Sequence, residues 1–386
     1  MKRILAAAVA CVLALAFPCA AQEESPAAGA LSGLSAPSAV LMHPSGEVLF
    51  EKNAHQPLPP ASVTKVMTLL LIMEALDDGS IALDDIVTGS AHASSMGGSQ
   101  IWLKEGEQFT VEEMIKCIAI ASANDCAVAM AEHIAGTEEA FVERMNARAA
   151  ELGMEDTHFV NCCGLDAEGH VSTAYDIALM SAELIRHEAI FNYTTIWQDT
   201  IRDGAFTLTN TNKLLRSYDG LNGLKTGSTS VAGFCLTATA SRDGLDLIAV
   251  VMKEETSGVR NADVTSMLNY GFSNYSSVTP TPDQPLMPLP VILGQRAEVS
   301  VELGEVQPIL LEKSRIPTLE KTIEMEESLR APVQMGQQVG QMTVMADGEV
   351  LQQVPIVAAE DVPALGIWDL FAKILRFACM RQETPL

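Results

Sequence analysis

Ser62-Val63-Thr64-Lys65 opens an apolar run that continues through Val66, Met67, Leu69, Leu70, Met73 and Leu76 and stops at Gly79. The spacing is helical, so the hydroxyl and the amine, three residues apart, share one face of the first turn. A serine at a helix start has an unpaired backbone N–H and the positive end of the dipole beside it. Such a pair can form an acyl-enzyme without a histidine, provided burial or a nearby cation keeps the amine neutral part of the time. By itself the pattern reads more readily as an N-capping serine followed by an exposed lysine.

Two further motifs follow in order. Ser122-Ala123-Asn124 lies in Ile118-Ala119-Ile120-Ala121-Ser122-Ala123-Asn124-Asp125. Its serine hydroxyl can relay a proton between lysine and leaving group, and its asparagine amide can hold a substrate carbonyl and the lysine amine. Lys225-Thr226-Gly227-Ser228 precedes a strand-like run, Phe234 to Thr239. Lys225 and Thr226 would hold a carboxylate there. Gly227 would remove a side chain so that substrate backbone can approach. The Ser228 N–H would be a second oxyanion donor. Taken singly, these read as a helix-capping turn and a polar hairpin lysine; their order gives them weight.

The surroundings read as α+β. Ala39 to Met42 and Val48 to Phe50 flank His43-Pro44-Ser45-Gly46-Glu47, a hairpin signal. Helical patterns cover 111–134, 138–152 and 173–187. Phe234 to Thr239 and Leu245 to Met252 lie either side of a turn at Asp243-Gly244, and a helix follows from Val264 to Tyr270. Strands at both ends with helices between predict an antiparallel sheet with an inserted helical lobe. After Phe272, prolines and short strand-like runs at 297–303, 307–311, 339–345 and 353–357 predict a small all-β domain. At the end, Ile367, Leu370, Phe371, Ile374, Leu375 and Ala378 share one helical face, suited to lying in a membrane interface rather than crossing it. The domains expected are therefore 36–275, 276–360 and a terminal helix over 364–380.

Residues 1–21 read as a secretory signal: Lys2 and Arg3, an apolar stretch from Ile4 to Phe17, and small residues at Cys19-Ala20-Ala21. Residues 22–35 are small and polar and read as a flexible leader. The net charge of −25 argues against nucleic acid as a partner. The six cysteines beyond the signal read mostly as buried small hydrophobes. Glu155-Asp156-Thr157-His158 lacks a partner histidine pair, so no metal and no cofactor is expected.

Together these motifs resemble the serine D-alanyl-D-alanine carboxypeptidases, the low-molecular-mass penicillin-binding proteins. The resemblance runs from about Ala39 to Val357. It is carried by Leu58-Pro59-Pro60-Ala61-Ser62-Val63-Thr64-Lys65, Ser94-Ser95-Met96-Gly97-Gly98-Ser99, residues 170–176 and 210–215, and Gly223-Leu224-Lys225-Thr226-Gly227. It implies a β-lactamase/transpeptidase-like domain followed by the all-β domain. It also implies that Ser62 is the acylated nucleophile, Lys65 its base and Ser122 the relay. Asn124, Lys225, Thr226, Gly227 and Ser228 would bind substrate, with Arg260 assisting the carboxylate. The implied substrate is a peptidoglycan stem peptide ending in D-Ala-D-Ala, with β-lactams as inhibitors. The implied location is exported, on the outer face of the cytoplasmic membrane or periplasmic, with the terminal helix as the membrane anchor. Cys162-Cys163 departs from the family, which has a proline after the asparagine.

A β-lactamase of the same fold would need a further deacylating base. Glu188-Ala189-Ile190-Phe191-Asn192 imitates one but lies too far from Ser122 by family spacing. A non-catalytic wall-binding scaffold would more plausibly have lost Ser62 or Lys65.

Overall fold

The computed structural model describes residues 29–380. The signal sequence and residues 22–28 lie outside them. Five antiparallel strands form the central sheet: β1 (Ser38–Met42), β2 (Val48–Lys52), β3 (Leu221–Thr229), β4 (Gly233–Arg242) and β5 (Leu245–Glu254), in the order β2-β1-β5-β4-β3. The strand from the start of the domain pairs with one from its end, Val40 opposite Val250. Strand alternation splits the core in two. Val40, Met42, Ile248, Val250 and Met252 face one cluster, and Ala39, Leu41, Leu247, Ala249 and Val251 face the other. Burial of each large side chain stabilises by ~1.5–3 kcal/mol, and the sheet has no wet face here.

Helix α6 (Ser257–Asn274), capped by Thr256 whose side chain accepts from Val259 N–H, covers one face. The helical lobe covers the other. At its centre runs α1 (Lys65–Asp77), buried on nearly all sides, as a helix apolar all round should be. It packs among α2 (Val111–Ala121), α3 (Asn124–Ala135), α4 (Glu138–Glu151) and α5 (Ala174–Arg186). Thr110 and Glu113 cap α2 reciprocally.

Three expectations need correction. Residues 29–35 are not loose: Leu31 and Leu34 are buried in the α6-side core, and Lys52 Nζ donates to the Leu34 carbonyl at 2.7 Å. Two leucines among small residues suffice to dock this stretch. The single helix read over 111–134 is two, α2 and α3, broken where Ser122 turns left-handed (φ 62°, ψ 32°). The strand read over 297–303 is split into Glu298–Val299 and Val301–Leu303, which join different sheets.

The small domain is all-β, as expected. Its main sheet has four strands, with Gln338–Ala346 and Glu349–Ala358 forming a hairpin across Asp347-Gly348. Ile309–Glu312 instead pairs with Tyr275–Val278, the strand that follows α6. The chain's last described element is the helix α7 (Ile367–Met380). Ile367, Trp368, Phe371, Ile374 and Leu375 on it are all exposed. No helix among the described residues is long and apolar enough to cross a membrane.

Candidate active site

Ser62 sits in a short 3-10 turn, Ala61–Thr64, that leads into α1. Within this turn no preceding carbonyl faces the Ser62 N–H. The turn is held on two sides by glycines. A Cβ on Gly227 of β3 would lie 2.9 Å from both the Ser62 and Val63 nitrogens and 3.0 Å from the Pro60 carbonyl oxygen. A Cβ on Gly164, where φ is +83°, would lie 1.9 Å from the Ala61 carbonyl oxygen. So Gly227 makes room for the serine turn itself, rather than for substrate as its sequence position suggested. A third brace is His170. Val160 N–H donates to its Nδ1 at 2.9 Å, so the ring proton is on Nε2, which donates to Thr64 Oγ1 at 2.8 Å. Burial pushes the His170 pKa down to about 4, which keeps the ring neutral.

Lys65 is fully buried, and its amine has three neighbours: Ser62 Oγ at 3.1 Å, Asn124 Oδ1 at 2.5 Å and the Cys163 carbonyl at 2.6 Å. The last two are acceptors only. A neutral amine satisfies both with its two protons and turns its lone pair to the Ser62 hydroxyl. Burial lowers the Lys65 pKa, opposed by Cys163, Cys162 and Asp125 nearby. Of the two causes the sequence left open, burial or a nearby cation, burial leads here. Lys225 is itself held well below the lysine range, first by burial, then by the charges of Lys65 and Arg260.

Ser122 follows α2 in its left-handed conformation, and Asn124 begins α3. The Ser122 hydroxyl is buried and has no hydrogen-bond partner among the described residues. On β3, Lys225 Nζ donates to the Thr226 carbonyl at 2.8 Å, and Thr226 Oγ1 donates to Thr211 Oγ1 at 2.7 Å. Gly227 is buried and Ser228 is exposed at the end of β3. Arg260 is buried on α6, with Nη1 3.4 Å from the Cys235 carbonyl and Nε on Asn261 Oδ1 at 3.1 Å. Its charge reaches Lys225. Among the described residues no cluster could hold a metal ion.

Several contributors were missed in the sequence. Asn161 Oδ1 accepts from the backbone N–H groups of Cys163, Gly164 and Leu165 at 3.2, 2.7 and 3.1 Å. This fixes the loop whose Cys163 carbonyl meets Lys65. Thr211 N–H donates to the Ile120 carbonyl at 3.2 Å while its hydroxyl accepts from Thr226, so one residue ties α2 to β3. Gly97 and Ser99 offer carbonyls to Asn124 Nδ2 and N–H, both at 2.7 Å. Asn161, Thr211 and Gly97 lay inside or beside stretches noted in the sequence, but their type alone gave no role. Glu188, the lactamase imitation, is exposed in a 3-10 turn after α5. Cys117, Cys126, Cys162, Cys163 and Cys235 are free and buried.

A serine turn, a buried lysine bonded to it, a second serine at a helix break and a Lys-Thr-Gly strand define a penicillin-binding serine hydrolase. Comparison with known proteins narrows this. The family model described as D-alanyl-D-alanine carboxypeptidase matches residues 22–256. That described as penicillin-binding protein 5, C-terminal domain, matches residues 275–364. The chain belongs to the D-alanyl-D-alanine carboxypeptidase family and is a serine-type carboxypeptidase. It is 43% identical over 373 residues to the carboxypeptidase DacF of Bacillus subtilis, covering 95% of this chain and 96% of that one. To DacC of Escherichia coli it is 34% identical, covering 84% of each. Among solved structures, penicillin-binding protein 5 of Haemophilus influenzae aligns with a TM-score of 0.68 at 29% identity, over 86% of this chain and 98% of that one.

Proposed function

We propose that this carboxypeptidase acts on D-Ala-D-Ala-terminated peptidoglycan stem peptides through an acyl-enzyme on Ser62. Lys65 takes the Ser62 proton as Oγ attacks the penultimate carbonyl carbon. The N–H groups of Ser62 and Ser228 receive the developing oxyanion. The proton passes by way of Ser122 to the nitrogen of the leaving D-alanine, the C–N bond breaks, and a serine ester remains. Water then attacks the ester and Ser62 recovers its proton. Lys225 and Thr226, with Arg260 behind them, hold the terminal carboxylate, and Asn124 Nδ2 holds the substrate amide carbonyl. The observation carrying this reading is the Lys65 amine, 3.1 Å from Ser62 Oγ with its other two contacts on carbonyl oxygens.

A penicillin presents a carboxylate and a strained amide to the same groups, and its leaving nitrogen stays tethered. The Listeria monocytogenes penicillin-binding protein D2, 34% identical over 62% of this chain with a TM-score of 0.57, has been solved in an ampicillin-bound form. The test is to mix purified protein with labelled penicillin and, separately, with a D-Ala-D-Ala peptide. One label per chain, persistent and lost in Ser62→Ala, together with D-alanine release, is expected. Rapid label turnover without D-alanine release would refute it.

The chain is exported and held at the outer face of the membrane by α7. The exposed apolar side chains of α7 support this, since they cover no core and suit an interface. Truncation after Leu365 should release the protein from membranes; unchanged membrane association would overturn the assignment.

A further inference from the structure

Trp102 is 64% exposed and its φ is +55°, a left-handed backbone unfavourable for a bulky aromatic. Its neighbours Ile101 and Leu103 are buried, so the loop turns both inward and the indole outward. Two charged side chains hold that conformation. The buried Asp125 carboxylate accepts from the N–H groups of Ile101 and Leu103, Oδ2 lying at 3.1 and 2.9 Å. Arg202 donates to the carbonyls of Ile101 and Trp102 at 2.9 and 3.3 Å, and its guanidinium is fixed by Glu107 and by the rings of Phe109 and Phe206. The Trp102 ring meets Phe206 edge-on, centroids 5.8 Å apart at 73°, an arrangement that props the indole without covering its faces.

The same loop is part of the active site. Asn124 holds its first half through Gly97 and Ser99; the next residue, Asp125, holds its second half. The helix start that presents Asn124 to Lys65 thus presents Trp102 to solvent. A strained, exposed and doubly braced aromatic contributes nothing to the core, and a glycine would make the same turn at no backbone cost. A rigid aromatic face on a loop bonded to Asn124 is an anchor for a flat, partly apolar ligand surface.

We propose that Trp102 is a specificity-determining platform that stacks on an N-acetylhexosamine ring of the glycan strand carrying the stem peptide. This rests on the carboxypeptidase reading above. An extended stem of about four residues ahead of the scissile bond spans roughly 14 Å. Trp102 lies three residues from Ser99, whose carbonyl is bonded to Asn124 N, so its backbone is within about 11 Å of that contact. An extended stem is therefore long enough for its glycan end to reach the loop. The ring's axial C–H face and polar rim match an indole that is apolar on its face and wet at its edge.

The experiment measures D-alanine release from two substrates bearing the same stem, one free and one attached to the GlcNAc–MurNAc disaccharide. It uses wild type, Trp102→Ala and Trp102→Phe, with penicillin acylation as the control for an intact cleft. For Trp102→Ala, KM for the disaccharide substrate should rise about ten-fold, the scale for truncating a stacked anchor, with kcat little changed. The free peptide and penicillin should move less than about two-fold by the same scale, and Trp102→Phe should restore most of the KM. Equal loss on both peptide substrates would overturn the glycan assignment in favour of a peptide contact or a loop defect. No change on either would overturn the platform altogether. Absence of D-alanine release in wild type would instead refute the carboxypeptidase reading, a separate outcome.

Discussion

Gly227→Ala tests how the serine turn is held. The added Cβ would stand 2.9 Å from two backbone nitrogens and 3.0 Å from a backbone oxygen, about half an ångström inside the ordinary contact limit of 3.4 Å. None of the three is the free end of a side chain, so none can swing aside. Either β3 retreats or the Ala61–Thr64 turn does, and the separation between Ser62 N–H and Ser228 N–H changes in both cases. Misplacement by 1 Å costs on the order of 10² in rate, so half of that predicts an approximately ten-fold slower acylation, or ~1.4 kcal/mol. Overpacking should cost a further 1–3 kcal/mol or so of stability. The assay pairs stopped-flow labelling by a fluorescent penicillin with a thermal melt. Slower labelling with unchanged final stoichiometry, and a lowered Tm, is expected. Gly164→Ala should be worse on both counts, because its Cβ would meet the Ala61 oxygen at 1.9 Å and its φ is positive. If Gly227→Ala labels at the wild-type rate and melts at the wild-type temperature, the turn is not clamped as described.

Asn161→Ala removes the acceptor for three N–H groups, so the Cys163 carbonyl should drift from Lys65 and penicillin acylation should slow about ten-fold or more. Cys163→Ser, which keeps that carbonyl, should label within about three-fold of wild type by the same reasoning; the reverse ranking would refute it. Lys65 titrates below the lysine value of 10.5 because it is buried. The base is the neutral form, so acylation should rise with pH through that depressed pKa and level off before 10.5. The unfolded chain binds the Lys65 proton more tightly, so this group's contribution to folding stability is least at low pH and grows as pH rises through the folded pKa towards the unfolded one. A flat acylation profile would sink the assignment of Lys65 as base. Ser122→Gly should lower D-alanine release by 10² or so, the scale of a lost proton relay. It should also stabilise the fold by about 1–2 kcal/mol, by relieving a left-handed serine; a less stable variant would count against that strain.

The proposed chemistry could be read from the sequence because each group it needs has to be a particular residue type. Ser62, Lys65, Ser122, Asn124 and Lys225 could be named without knowing what surrounds them. The sheet was legible too, since β1, β4 and β5 carry apolar runs bounded by turn signals. Illegible were the partners brought together across the chain: Gly164 against Ala61, Gly97 against Asn124, and Thr211 between Ile120 and Thr226. Such contacts leave no local period, and a glycine or threonine looks the same wherever it packs. In the small domain, Leu319–Met325 was missed because Lys321 interrupts its alternation, although its backbone pairs fully with Gln338–Ala346.

The break between α2 and α3 shows why the local pattern pointed the wrong way. The apolar spacing is helical from Val111 to Ala121 and again from Asp125 onward, and nothing at Ser122 resembles a glycine stop. The chain nevertheless turns left-handed there, with both the Ser122 and Ala123 N–H groups folding back onto the Cys117 carbonyl. A continuous helix would have placed residues 122 and 124 about 200° apart around its axis, on opposite sides. The break lets Ser122 end one helix while Asn124 begins the next, its side chain on Lys65. The backbone strain and the unpartnered hydroxyl therefore fall on the residue proposed as the relay, which is where a cost to folding that serves reaction geometry is expected.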